Sequence, residues 1–192
     1  GAGDAVGPDG AVFLVGRAGK PVRLGTGIAR ELSPDGRWAL VNPLDRKSAR
    51  LLPTGAGLPR DFPLGALLQS AVFFPDGKHL LVSANTEDDA ATRFLRVSVE
   101  TGEVTRLPLT GFLGPLALPF APDGKRLALM RAASQSLELV SVETGESEPV
   151  KGALSGVFAP AHASRLKVGG GVTLVSDLGG QFTLSKTATG FY

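Results

Sequence analysis

Apolar and polar residues alternate along several short segments of the chain. Leu95, Val97 and Val99 alternate with Arg96 and Ser98. This spacing places the apolar side chains on one face of a β-strand and the polar side chains on the other. No segment shows the period of about 3.6 residues that is typical of an amphipathic helix. The pattern therefore predicts an all-β protein.

The chain also repeats itself. The heptapeptide Val-Ser-Val-Glu-Thr-Gly-Glu occupies residues 97–103 and again 140–146. Each copy follows a Pro-Asp-Gly tripeptide, which occurs at residues 8–10, 34–36, 75–77 and 122–124. A degraded copy without Asp-Gly follows at Phe158-Ala159-Pro160. A recurring period of about 40 residues indicates a repeat architecture.

Both recurring motifs have the chemistry of tight turns. Proline presets φ for the first corner residue, aspartate can bond the backbone just beyond it, and glycine accepts a left-handed conformation. Apolar residues flank each tripeptide, which predicts a β-hairpin. We interpret these residues as structural turns with no chemical role: Pro34, Asp35, Gly36, Pro75, Asp76, Gly77, Pro122, Asp123 and Gly124, with Thr101, Gly102, Thr144 and Gly145 at the second turn.

Each repeat is long enough for four strands. In the third unit we expect strands at Ser70–Phe74, His79–Ala84, Phe94–Val99 and Val104–Leu109. In the next unit we expect strands at Leu116–Ala121, Arg126–Arg131, Leu137–Val142 and Glu148–Lys151. Four-stranded units of this length predict the blades of a β-propeller. The predicted blades are a partial leading unit at 1–27 and four complete units at 28–65, 66–114, 115–152 and 153–192, within a ring that we expect to be larger than this chain.

The repeat resembles the WD40-like (PD40) repeat of TolB-type β-propellers. The matching segments read Leu-Ser-Pro-Asp-Gly-Arg at 32–37, Phe-Pro-Asp-Gly-Lys at 74–78 and Phe-Ala-Pro-Asp-Gly-Lys at 120–125. The tryptophan that often precedes this motif is absent. The resemblance implies a propeller. It leaves open docking to envelope proteins, a sensor role beside bacterial kinases or regulators, and substrate gating in prolyl-oligopeptidase-like peptidases.

Composition excludes several classes of partner and site. The formal net charge is only +2, and the most basic stretch, Arg46, Lys47 and Arg50, is interpreted as a solvated loop, so we expect no nucleic acid. The chain has no cysteine, which excludes disulfides, thiolate metal sites and a cysteine nucleophile. We expect no membrane insertion, because no apolar run reaches about 18 residues. The sequence leaves periplasmic and cytoplasmic locations equally open.

Residues with catalytic or metal-binding chemistry are scarce. The two histidines, His79 and His162, are interpreted as exposed residues beside turns. Glu31 is the one acidic residue on the predicted innermost strands. One carboxylate makes neither an acid–base pair nor a metal cage. We therefore expect no catalytic residue, no metal and no cofactor.

An acidic run in the third unit is a candidate contact surface. Glu87, Asp88 and Asp89 lack the alternate spacing and the glycine of a calcium loop. Together with Asn85 they are interpreted as a solvated insertion loop at 85–92, and a second rim loop is expected at 45–48. Insertions on one rim of a repeat protein are where a partner binds.

The sequence favours a non-catalytic propeller segment. We expect a protein-interaction or sensory module of a larger bacterial-type protein, with a protein or peptide partner. The alternative is a substrate-gating propeller of a prolyl-oligopeptidase-like serine hydrolase whose catalytic domain lies outside this chain. A sugar-lactone hydrolase is a third reading, which predicts bound calcium. Self-association is expected if the ring is incomplete, because open sheet edges pair readily.

Overall fold

A computed structural model describes residues 10–16, 19–86, 89–111, 113, 120–121, 123–130 and 137–149, and the backbone of four short strands after residue 171. Within these ranges the chain forms strands and turns and contains no helix. The all-β class predicted from the alternating pattern is confirmed. In the described part of the chain, no helix has the length and hydropathy needed to cross a membrane.

Two complete four-stranded sheets follow each other along the chain. In each, consecutive strands pair antiparallel with their sequence neighbours. Sheet B contains β3 (Ile28–Leu32), β4 (Trp38–Asn42), β5 (Ser48–Pro53) and β6 (Arg60–Pro63). Sheet C contains β7 (Leu67–Phe73), β8 (His79–Thr86), β9 (Asp89–Ser98) and β10 (Val104–Leu107).

A third sheet repeats this arrangement. Sheet D contains β11 (Arg126–Met130), β12 (Leu137–Ser141) and β13 (Ser147–Pro149), again paired in sequence order. Phe120 forms an isolated antiparallel bridge with Leu127, at the place that the first strand occupies in sheets B and C. Most of the strand expected at 116–121 lies outside the described residues.

The fourth sheet joins distant parts of the chain. Sheet A contains β1 (Ala11–Gly16), β2 (Val22–Thr26), β14 (Val172–Ser176) and β15 (Gln181–Leu184) in the order β15-β14-β1-β2. The sequence placed the leading strands and the last unit in separate blades, whereas the structure pairs β1 with β14. Backbone groups of β1 are satisfied by whichever strand lies alongside, and strand patterning does not specify that neighbour. A short hairpin of β16 (Lys186–Thr187) and β17 (Gly190–Phe191) follows.

The hydrophobic core lies between the faces of neighbouring sheets. In β8, Leu80 and Val82 belong to a cluster shared with sheet B, while Leu81 belongs to a cluster shared with sheet D. A third cluster joins sheets A and B through Val12 and Val41. Strands that are buried on both faces need apolar residues at consecutive positions, which explains the unbroken apolar run in β8.

The loop expected at 85–92 is shorter in the structure. β8 continues to Thr86 and β9 begins at Asp89, and these two residues pair across the hairpin. Glu87 and Asp88 lie outside the described residues. The prediction of a long loop was wrong because polar side chains such as Asn85 can continue a strand whose backbone is paired.

Candidate functional site

The Pro-Asp-Gly corners share one local geometry. Asp35, Asp76 and Asp123 each use Oδ1 to accept the backbone N–H of the residue two positions later, at 3.0, 2.8 and 2.9 Å. The glycine that follows each aspartate has a φ of 67° to 71°, the left-handed region that glycine enters at low cost. Pro122 lies outside the described residues. Each corner is therefore held by bonds within itself.

Successive corners pack against each other. A Cβ atom built on Gly77 would lie 3.3 Å from Cδ of Pro34, and one on Gly124 would lie 3.4 Å from Cδ of Pro75. The corners of sheets B, C and D thus form a continuous surface, which we call the corner face (34–36, 75–77 and 123–124). The sequence pattern predicts the turns but not their contact with each other.

A cavity opens on the corner face between sheets C and D. This corner cleft has a volume of about 370 Å³ and is lined by Phe74, Pro75, Asp76, His79, Arg96, Asp123 and Gly124. The ring of Phe74 packs against Phe120 at a centroid distance of 4.4 Å. The ring of His79 meets Phe74 edge-on at 6.0 Å. The cleft therefore has a fixed aromatic wall, with charged groups around its opening.

Those charged groups are paired in a specific way. Nδ1 of His79 lies 2.9 Å from Oδ2 of Asp76. The guanidinium of Arg96 lies 5.1 Å from the centre of the Phe74 ring and donates to Glu143 of sheet D at 2.5 Å. The ion pair with Glu143 neutralises Arg96, and the carboxylate of Asp123 remains exposed at the opening.

The boundary between sheets B and C carries a related arrangement. Arg60 lies 5.4 Å from the centre of the Trp38 ring and donates to the backbone oxygen of Val99 at 2.7 Å. Trp38 and His79 occupy the same place after their corners, two residues beyond the glycine. His79 was predicted to be an exposed strand residue; it begins β8, its side chain is 35% exposed, and it also lines the cleft. At this place sheet B has tryptophan and sheet C has histidine. That difference in the sequence could have indicated that His79 lines a site.

The loops predicted to bind a partner lie elsewhere. Asn85 is the second-to-last residue of β8 and Asp89 begins β9, at the end of sheet C opposite to the corner between β7 and β8. The turn at 45–47 also lies at this opposite end of its sheet. The structure does not bring either segment to the corner cleft.

The basic stretch is not simply a solvated loop. Nε of Arg46 donates to the carbonyl oxygen of Leu68 in β7 at 2.8 Å, and the Leu68 N–H donates back to the Arg46 oxygen at 2.7 Å. Arg50 lies in β5 and binds Asp61 through two hydrogen bonds, and this bonding raises the pKa of Arg50. Lys47 is exposed. The interpretation as an exposed loop is confirmed for Arg46 and Lys47, which lie between β4 and β5, and was wrong for Arg50, which lies within a strand.

Glu31 connects the first strands of sheets B and C. Its Oε1 accepts the backbone N–H of Phe73, and the adjacent Arg30 donates to the hydroxyl of Ser70 at 3.0 Å. Burial raises the pKa of Glu31 to about 8, against the opposing effects of the Phe73 hydrogen bond and the Arg30 charge. The residue as a whole is half-buried.

The chemistry available in the described residues is limited. They contain no group of three or more histidine, aspartate or glutamate side chains that could hold a metal ion. The described residues that line the corner cleft include a histidine–aspartate pair but no hydroxyl, thiol or amine side chain to serve as a nucleophile. The arrangement is suited to holding a side chain of another molecule against an aromatic wall.

Comparisons with solved structures identify the fold. TolB from Acinetobacter baumannii is 16% identical with a TM-score of 0.58, over 92% of this chain and 53% of its own. A protein assigned as TolB from Agrobacterium tumefaciens is 21% identical with a TM-score of 0.57, over 95% of this chain and 76% of its own. At these identities the likeness shows the fold alone. The chain has an all-β, TolB-like β-propeller fold, and its sheets are blades.

Other comparisons add little. A protein assigned as a 6-phosphogluconolactonase from Bacteroides fragilis is 20% identical with a TM-score of 0.43, over 63% of this chain and 36% of its own, and this likeness is too weak to support an argument. No protein-family model and no curated protein matches the chain. The chain spans 36% and 53% of the lengths of the first two structures compared, the Bacteroides protein and Acinetobacter TolB.

Proposed function

We propose that this chain is a non-catalytic propeller module of a larger bacterial-type protein, and that it binds a protein or peptide partner at the corner cleft. The observation that carries the proposal is the cleft itself, about 370 Å³ with a buried phenylalanine as its wall and charged side chains around it. Binding sites are typically concave, with apolar walls and a few polar groups that fix the orientation of the ligand.

The cleft also has the composition of a binding hot spot. Aromatic and arginine side chains carry much of the energy of protein interfaces, and Phe74, His79 and Arg96 meet here. The walls are ordered by packing, because Gly124 lies against Pro75 and the ring of Phe74 lies against Phe120 at a centroid distance of 4.4 Å. A site that is already ordered loses little conformational entropy when a partner binds.

Selection of peptide ligands tests the proposal. The purified chain would be used to select binders from a phage library of random peptides, and the selected peptides would be synthesised and measured by calorimetry. We expect His79→Ala to weaken binding about tenfold, as loss of one hot-spot contact does. Arg126 lies two residues after the corner glycine of sheet D, as His79 does in sheet C, but it does not line the cleft. Arg126→Ala is therefore the matched control.

Two results would contradict the proposal. One is that no peptide binds the folded chain, or that His79→Ala and Arg126→Ala weaken binding equally while both variants keep the parent's thermal unfolding temperature. The other is that the purified chain hydrolyses ester or peptide substrates and loses this activity when one of its own residues is replaced.

A further inference from the structure

We infer that the corner cleft recognises a cationic side chain, arginine or lysine, of the partner. This inference rests on the proposed function and specifies its ligand. Three features of the cleft support it: the charges of its lining, the position of two carboxylates on adjacent corners, and the chain's own contacts between arginine side chains and aromatic rings.

The first feature is the charge balance of the lining. Arg96 is the one permanently cationic residue among the described lining residues, and Glu143 pairs with it at 2.5 Å. Asp76 and Asp123 are the two carboxylates of the lining. Lys78 and Lys125 are exposed beside the corners and do not line the cleft, and their backbone N–H groups hold the turns. Two carboxylates in a lining whose arginine is already paired favour a cationic group.

The second feature is the spacing of these carboxylates on adjacent corners. Gly124 packs against Pro75, which brings the corners that carry Asp76 and Asp123 side by side. Each aspartate uses Oδ1 for its own turn, and Asp76 uses Oδ2 for His79. A guanidinium or ammonium group at the opening is attracted by both carboxylates, and its aliphatic stem can lie along Pro75.

The third feature is that the chain already holds arginine side chains against aromatic rings beside two of its blade boundaries. Arg96 lies over Phe74 and Arg60 lies over Trp38, at 5.1 and 5.4 Å. Such contacts are attractive because the ring face carries negative charge. An acidic ligand would instead meet two carboxylates, and the arginine that could receive it is already paired with Glu143.

The experiment uses the selected peptides as probes. Each arginine or lysine in a peptide would be replaced by glutamine, one at a time, and binding measured against the parent chain and Asp123→Asn. Asparagine keeps the oxygen that accepts the Lys125 N–H, so the corner itself is preserved. Asp35→Asn is the matched control, because Asp35 caps the corner of blade B in the same way and does not line the cleft.

We expect one basic residue of the peptide to be essential. Its replacement should weaken binding about tenfold, as should Asp123→Asn, and the two changes together should cost little more than either alone. Raising the salt concentration should weaken binding to the parent chain more than to Asp123→Asn. Asp35→Asn should bind like the parent.

The outcomes separate this inference from the proposed function. The location of each bound peptide would be read from the backbone amide signals of Gly124 at the cleft and Gly65 away from it. Peptides that shift Gly124 but bind equally well after loss of their basic residues, or bind Asp123→Asn as tightly as the parent, overturn the inference and leave the proposed function intact. Peptides that bind without shifting Gly124 overturn both, as does a library that yields no binder.

Discussion

Gly145 lies directly against the carbonyl oxygen of Pro108, so closely that a Cβ atom on Gly145 would overlap that oxygen. Gly102 holds the same place in the first copy of the repeated heptapeptide, with nearly the same φ, 76° against 73°. A Cβ on Gly102 would have as its nearest atom a ring carbon of Phe62 at 3.8 Å, an ordinary contact. Identical local sequences thus meet different neighbours in the preceding blade.

This difference predicts unequal effects of one substitution. Gly102→Ala should cost about 1 kcal/mol in unfolding free energy, the cost of placing alanine in the left-handed region. Gly145→Ala carries the same cost and also requires movement of the Pro108 backbone, so we expect a total of about 2–4 kcal/mol. Urea unfolding of both variants measures this, and equal losses would show that the close contact is absent.

Glu31 predicts a pH dependence of stability. Its pKa is raised from the ordinary 4.5 to about 8 in the folded chain, so the folded chain holds more protons than the unfolded chain between these values. The contribution of Glu31 to stability is therefore fully present below pH 4.5 and is lost as the pH rises toward 8. The decline should reach up to about 1.4 kcal/mol per pH unit in this window. Urea unfolding at pH 5, 6.5, 8 and 9 measures it.

The control for this prediction is Glu31→Gln. Glutamine keeps an oxygen that can accept the Phe73 N–H but does not ionise. We expect the variant to show a flatter pH dependence and to be more stable than the parent at pH 9. A variant with the parent's full pH dependence would assign the effect to another group.

Arg46 combines an unusual backbone conformation with a bond to the next blade. Its φ is 57°, and Nε donates to the oxygen of Leu68. Arg46→Ala loses the hydrogen bond and keeps the left-handed backbone, so it should cost about 1 kcal/mol. Arg46→Gly loses the same bond but relieves the backbone, and should be more stable than Arg46→Ala by about 1 kcal/mol. Thermal unfolding of both variants measures this difference. A higher unfolding temperature for Arg46→Ala than for Arg46→Gly would contradict the prediction.

The ion pair between Arg96 and Glu143 should contribute little to stability. The Glu143 side chain is 68% exposed, and exposed pairs contribute about 0.2–1 kcal/mol that salt screens. We expect Glu143→Gln to cost no more than this, and the cost to vanish in about 1 M salt, where the screening length is about 3 Å. A larger loss that persists at high salt, measured by urea unfolding, would show a buried and coupled pair.

Local sequence predicted the hairpins well and the longer-range pairing poorly. β11 was expected at 126–131 and observed at Arg126–Met130, because alternating side chains and a glycine corner specify both ends of the strand. The hairpin of β8 and β9 extended beyond its prediction, since paired backbone tolerates polar side chains. The neighbour of β1 could not be predicted, because any strand of suitable register can satisfy its backbone groups.

The candidate site was the part least accessible from sequence. Phe74 and Arg96 are 22 positions apart in the numbering, and Glu143 belongs to another blade. The sequence favoured Glu87, Asp88 and Asp89 as a contact surface, because a run of like charges can be recognised from the order of residues alone. The cleft instead depends on the packing of one corner against another, through Gly124 and Pro75.

The amino-acid sequence by itself determined that this protein is built of short strands, where its corners lie and that its units repeat. These features depend on backbone preferences and side-chain periods that act within a few residues. The tertiary structure alone decided that Glu31 is enclosed between blades, that Arg96 bridges to Glu143, and that Gly145 has no room for a side chain. Those outcomes depend on which surfaces of two twisted sheets come into contact, a property of the packed blades rather than of any segment.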